Sequence, residues 1–184
     1  MRIYKIALFI AVFLGLLITS FVLLKKEADE PEMRYDVTVN DFSSCAEAGN
    51  IVLESYPRQC KTTDGRSFTE DIGNALEKES LIRASSPRPN DLITSPVKIS
   101  GDARGTWFFE ASFPIVLLDG NGDVVVQHFA QAKTDWMTEN FVAFESEVVF
   151  TKPTTKNGLL ILKKDNPSGL PEYDDELIIP IRFE

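Results

Sequence analysis

Twelve residues near the C-terminus, Asp165 to Glu176 ("DNPSGLPEYDDE"), gather five carboxylates, an Asn and a Ser. Oxygen ligands of this kind and number can wrap a calcium ion. Earlier in the chain, "DGNGD" sets Asp119, Asn121 and Asp123 at the D-x-N-x-D spacing of a calcium loop. That motif stops short, because an EF-hand wants Gly at the sixth position and Glu at the twelfth, where this chain has Val124 and Ala130. Asp, Asn and Gly also suit a hairpin turn, since they tolerate positive φ, and a turn is the expectation at 119–123. In Asp165–Glu176, Pro167, Gly169 and Pro171 shape a loop, and Asp174, Asp175 and Glu176 keep the start of the next apolar run soluble. Calcium there rests on carboxylate density alone, so no metal ligands are assigned.

Other reactive residues are few. His128 is the only histidine and sits inside the run "VVVQHFAQA". There is no G-x-S-x-G, no H-E-x-x-H and no phosphate-cradling Gly loop. No catalytic residue and no cofactor is expected, and the chain does not read as an enzyme. Cys45 and Cys60 are the only cysteines, too few for a zinc site that wants four ligands. A disulfide is the better use for them, and it requires an oxidising, extracytoplasmic setting. "YPRQCKTTDGRSF" has a local resemblance to Kazal-type protease inhibitors, which would imply inhibition through this module and a role for Arg58. Those domains use six cysteines, and this chain has two. In "DWMTENF", Trp136, Met137 and Phe141 form either a contact patch or an apolar plug at one end of the fold.

These residues must be positioned by three kinds of element. Ile6 to Leu24 is a run without a charge, bounded by Arg2 and Lys5 before it and Lys25 and Lys26 after it. As a helix it would span roughly 28 Å, against about 30 Å of bilayer hydrocarbon. No small-x-small cleavage site precedes Lys25, so a retained signal anchor at 1–26 is expected rather than a cleaved peptide. The amino terminus is then cytoplasmic and the rest outside. The first 26 residues hold four of the 19 basic residues and no acid, so the remainder carries 15 basic against 28 acidic residues, a net of −13. Such an exterior has no electrostatic footprint for nucleic acid. Residues 27–40 read as a charged stalk.

Residues 41–79 form a small module around Cys45 and Cys60. A bridge closing a loop of about 15 residues contributes about 3 kcal/mol in the chain-entropy model, which matters in a segment too short to bury much core. Asp64-Gly65 marks a tight turn within it, and "IGNALEKE" adds a turn or two of helix. From residue 80 to 184 strand follows strand. "TWFFEASFPIVLLD" alternates, placing Trp107, Phe109, Ala111, Phe113, Ile115 and Leu117 on one face. Pro114 in it marks an edge or a bulge. "FVAFESEVVFTK" buries Phe144, Val148 and Phe150, with Ser146 the small exception. "ELIIPIRFE" turns Leu177, Ile179, Ile181 and Phe183 inward. About seven short strands without a helical period predict an all-β sandwich.

Three stretches, "SPRPNDLITSPVKISGDARGTWFFEASFPIVLLDGNGDVV", "AQAKTDWMTENFVAFESEVVF" and "KKDNPSGLPEYDDELIIPI", resemble the immunoglobulin-like domain of bacterial spore germination proteins over about Leu81 to Phe183. "SCAEAGNIVLESYPRQC" looks like a segment that precedes this domain in other membrane-anchored bacterial proteins. The resemblance implies a non-catalytic sandwich at the cell envelope, with no catalytic residues to carry over. The expected function is binding or scaffolding, through loops or exposed sheet edges, of an envelope protein or a cell-wall component. A protease inhibitor or envelope hydrolase working through the Cys45–Cys60 module, and a calcium-stabilised adhesion module, are the alternatives.

Overall fold

A computed structural model describes residues 38–184. The apolar run 6–24 and most of the stalk lie outside them. Among the described residues no helix is long and apolar enough to cross a membrane.

The first element is a short helix, α1 (Phe42–Glu47), for which the sequence reading made no provision. Asp41 starts it: its carboxylate accepts from the Ser44 N–H at 2.7 Å, while the Ser44 hydroxyl accepts from the Asp41 N–H at 3.1 Å. This reciprocal cap supplies acceptors for N–H groups that a helix start otherwise leaves unpaired. The helix presents Cys45 to Cys60 in β2 (Gln59–Lys61), and the expected disulfide joins them across a Cα separation of 6.1 Å. β2 pairs with β1 (Ile51–Leu53) on one side and β3 (Ser67–Thr69) on the other. The β2–β3 reversal is the Asp64-Gly65 turn, with Gly65 at φ 91°. One turn of helix follows as α2 (Ala75–Lys78).

Eight further strands make the main sheet: β4 (Ile82–Ser86), β5 (Leu92–Ile93), β6 (Val97–Arg104), β7 (Ser112–Asp119), β8 (Val124–Ala132), β9 (Phe141–Val148), β10 (Asn157–Lys163) and β11 (Glu176–Phe183). Their hydrogen-bonded order is β4-β6-β9-β8-β7-β10-β11-β5. β8 meets β9 only through Gln131 opposite Glu145 and Ala132 opposite Phe144. At that corner the sheet curls, and β4-β6-β9 folds over β8-β7-β10-β11 as the two layers of an immunoglobulin-like sandwich. Ile99, Ala103, Phe144 and Val148 from one layer meet Phe113, Ile115, Leu117, Leu160 and Ile179 from the other, all buried. Phe113 sits at the centre, edge-on to Phe108 at 5.2 Å and to Phe144 at 4.9 Å.

Local departures from the expected pattern have backbone causes. The alternation expected from Trp107 to Leu117 holds only from Phe113 onward. Glu110 and Ala111 adopt positive φ (48° and 62°) beside a bridge between Phe109 and Ser112, and this resets the parity. Trp107 and Phe108 are both buried and Phe109 is exposed. Within residues 92–104 the chain passes from one layer to the other, from β5 to β6. Pro114 does sit at an edge position, because β10 pairs with β7 only from Ile115 to Asp119. Leu177, Ile179, Ile181 and Phe183 are buried as expected.

Candidate binding groove

A sandwich made by curling one sheet has two lateral seams, and here they are treated differently. At the seam between β4 and β11 the disulfide module is seated, leaving a cavity of about 220 Å³. Tyr56, Ala75 and Glu79 face Ile82, Ala84, Leu177 and Ile179 across it. Asn74 stands in for a neighbouring strand on the free edge of β11. Its side-chain oxygen accepts from the Ile178 N–H at 2.7 Å, and its amide donates to the Glu176 carbonyl at 2.9 Å. Gly73 lies so close to β11 that a Cβ would stand 2.0 Å from the Ile178 carbonyl oxygen, and its φ is +62°. Only glycine satisfies both conditions.

Asn90, at φ 66°, pins the module from the sandwich side. Its amide donates to the Asp71 carbonyl at 2.7 Å and to Glu70 Oε1 at 3.1 Å, while its N–H reaches the Pro180 carbonyl at 2.7 Å. Glu70 is a buried carboxylate, gripped by the Arg58 fork through Nε at 2.9 Å and Nη2 at 2.6 Å. Those hydrogen bonds from Arg58 hold Glu70 below the usual carboxylate range. Arg58, the residue an inhibitor would present, is therefore committed within the module; it also lies over the Phe42 ring at 5.3 Å.

The opposite seam, between β8 and β9, is open. Beyond Gln131 and Glu145 the two strands part, because β8 follows β7 in one layer and β9 follows β6 in the other. Val124–Ala130 then has a ladder partner on one side only, as does Ser146–Val148. Both free edges border a groove of about 750 Å³ lined by Lys98, Ile99, Ser100, His128, Phe129, Gln131, Glu145, Ser146 and Glu147. Phe129 is 53% exposed. Across the split the Ser146 hydroxyl donates to the Phe129 carbonyl at 2.9 Å. His128 Nδ1 lies 3.0 Å from that same oxygen and 3.3 Å from Ser146 Oγ. With the proton on Nδ1, both groups donate to one carbonyl. In that tautomer the Ser146 hydroxyl ties β9 to β8 across the split.

The other residues singled out from sequence are dispersed. Trp136 packs edge-on against Phe109 at 6.5 Å, and Met137 is 75% exposed. Phe141 lies instead under two guanidinium groups, Arg83 at 4.5 Å and Arg104 at 4.1 Å from its ring centre. Three of the five acids of 165–176 have separate partners. Asp175 pairs with Lys78 at 2.5 Å, Asp174 accepts from the Asn166 amide at 2.7 Å, and Glu176 lies 3.9 Å from Lys163. Burial, and then the nearby charge of Glu110, push Asp165 upward. Among the described residues no group of three His, Cys, Asp or Glu side chains is gathered to hold a metal. At 119–123 the Asp119 carboxylate is occupied by the backbone N–H groups of Asn121 (2.8 Å) and Asp123 (3.0 Å), the work of a turn.

The groove was not singled out from the sequence. Its one signal was Ser146, a polar residue within an otherwise apolar inward series. Comparison with protein-family models matches residues 81–169 to the immunoglobulin-like domain of bacterial spore germination. No curated protein and no solved structure matches the chain.

Proposed function

We propose that this chain, whose residues 81–169 belong to the immunoglobulin-like domain family of bacterial spore germination, is a non-catalytic binding protein of the bacterial envelope. It is tethered by the apolar run 6–24 with its sandwich outside the cytoplasmic membrane. It captures an extended segment of another envelope protein by strand addition at the β8/β9 split. The observation that carries this reading is the pair of unpaired strand edges on one groove, opposite the seam where the disulfide module is seated. Unpaired edges supply main-chain hydrogen bonds to any extended chain, and the side chains beside them supply selectivity. Here the exposed Phe129 offers apolar contact, while Glu145 and Glu147 favour a segment carrying basic or neutral polar residues. The disulfide, the acidic exterior and the family support the extracytoplasmic setting. The module and the sandwich act together as one body, the former as a structural brace.

The test is retention of envelope proteins and of isolated cell wall by immobilised residues 26–184, beside the groove variants Phe129→Asp and Lys98→Glu. Loss of a retained protein in both variants, with unchanged circular dichroism, supports the groove. Retention of wall material alone, or of protein indifferent to both changes, sinks it.

A further inference from the structure

Phe141 opens β9 on the outer face of the β4-β6-β9 layer, since its neighbour Val142 is the buried one. Residues directly opposite in a ladder share a face. Arg104 stands opposite Phe141, and Arg83 stands opposite Asp102, two positions before Arg104. Both guanidinium groups converge on the one ring, at 4.5 and 4.1 Å from its centre. Consecutive carbonyls between α2 and β4 fix them: Arg83 Nε donates to the Glu79 carbonyl at 2.8 Å, and Arg104 Nε to the Ser80 carbonyl at 3.0 Å. Arg104 Nη1 also donates to the Glu139 carbonyl at 3.2 Å. Among the described residues this leaves both Nη groups of Arg83 and the Nη2 of Arg104 without a protein acceptor. Neither guanidinium is in an ion pair there. Arg83 lies over the ring rather than pairing with Asp102, the carboxylate directly opposite it. Acids outnumber bases 28 to 15 outside the first 26 residues, so carboxylate partners are not scarce.

We propose that Arg83 and Arg104, seated on Phe141, form a binding site for a phosphate group carrying two negative charges. Two like charges gathered on one ring repel, and a shared anion removes the repulsion while taking the unspent N–H groups. Guanidinium forks match phosphate oxygens in pairs. Two of them balance a dianion, whereas a carboxylate or a phosphodiester leaves one positive charge over. The anchoring bonds also serve the fold, because they satisfy carbonyls after the end of α2. That role uses only the Nε atoms and one Nη. Asp102 on the same face opposes any anion, and Arg83 is exposed to water, so half-saturation is expected on the order of 1–10 mM. The free ion and the terminal phosphate of a larger molecule present the same group to the site. Along β6 the site lies roughly 20 Å from Lys98 in the groove, and it does not rest on the strand-capture reading.

The experiment uses the full chain in non-ionic detergent micelles, with carbon-13 at the arginine Cζ atoms, at constant ionic strength and about pH 8, where phosphate is a dianion. Inorganic phosphate, glycerol phosphate, dimethyl phosphate and acetate are titrated separately while the Cζ resonances of Arg83 and Arg104, assigned by substitution, are followed. Inorganic phosphate should shift both resonances to saturation. Glycerol phosphate separates the sources: an equal response assigns the site to a terminal phosphate on a larger molecule, and a response to inorganic phosphate alone assigns it to the free ion. Either supports the proposal. Dimethyl phosphate and acetate should bind about fivefold more weakly, the effect of one unit charge near contact in water. Arg83→Gln should abolish saturation at Arg104, and Asp102→Asn should tighten phosphate binding about threefold, with circular dichroism unchanged in both. A pair serving the fold alone would show neither effect. No saturating shift up to about 50 mM phosphate, an equal response to acetate, or undiminished binding in Arg83→Gln would overturn the proposal.

Discussion

Replacing Glu70 by Gln tests whether the module is clamped to the sandwich as described. The change keeps the shape and one acceptor but removes the charge that the Arg58 fork grips at 2.9 and 2.6 Å. Hydrogen bonds to a charged group contribute about 1.5–3 kcal/mol each and neutral ones about 0.5–1.5. The Glu70 side chain is 5% exposed but that of Arg58 is 43% exposed, so water screens part of the pair. The loss should therefore be about 1–2 kcal/mol, below the 3–5 typical of breaking a wholly buried pair. In a domain of this size that lowers Tm by about 3–6 °C. The pH dependence identifies the cause. Arg58 depresses the folded-state pKa of Glu70, so its contribution is complete above the ordinary carboxyl pKa and disappears as pH falls through the depressed value. Urea titrations of the full chain in detergent, followed by tryptophan fluorescence, should show a constant gap between native protein and variant from pH 8 to about 5. The gap should close below about pH 4. An equal gap at pH 2.5, or none at pH 7, would refute the reasoning.

Three other perturbations have definite outcomes. Replacing Cys45 and Cys60 together by Ser should cost about 3 kcal/mol in denaturant titration, from the loop the bridge closes. Gly73→Ala should cost about 1–3 kcal/mol more than Gly122→Ala: both positions have positive φ, but only at Gly73 does a Cβ meet a carbonyl, at 2.0 Å, while at Gly122 nothing lies within 4 Å. Millimolar calcium should leave Tm unmoved, because Asp175 is already paired with Lys78 and Asp174 with Asn166. A site of 10 μM affinity would instead add about 2.7 kcal/mol at 1 mM calcium, an obvious upward shift in a thermal melt.

Period-two alternation was a sound guide wherever a strand stayed regular, as from Leu177 to Phe183. It failed where non-glycine residues took positive φ, at Glu110 and Ala111, since neither residue type announces a left-handed conformation. α1 was visible in principle through the reciprocal cap of Asp41 and Ser44, three positions apart, but its brevity gave no apolar period. The groove was not legible for a deeper reason. It exists because β8 and β9 pair at two positions and then separate, and where a ladder stops is set by the packing of whole layers. The same holds for Asn74 and Asn90. In the sequence each is an ordinary loop residue; in the fold Asn74 bonds to strand positions 102 and 104 residues away.

The closing of β11 by Asn74 and Asn90 has a consequence for assembly. A sandwich with two open flanks can both donate and accept an edge, and copies of it can string into a fibre without limit. Here one flank is stopped, and the outer strands of the small sheet are three residues each, too short to template much. On the proposed reading, a strand taken up at the β8/β9 groove therefore finds no second open edge on β11 from which growth could continue.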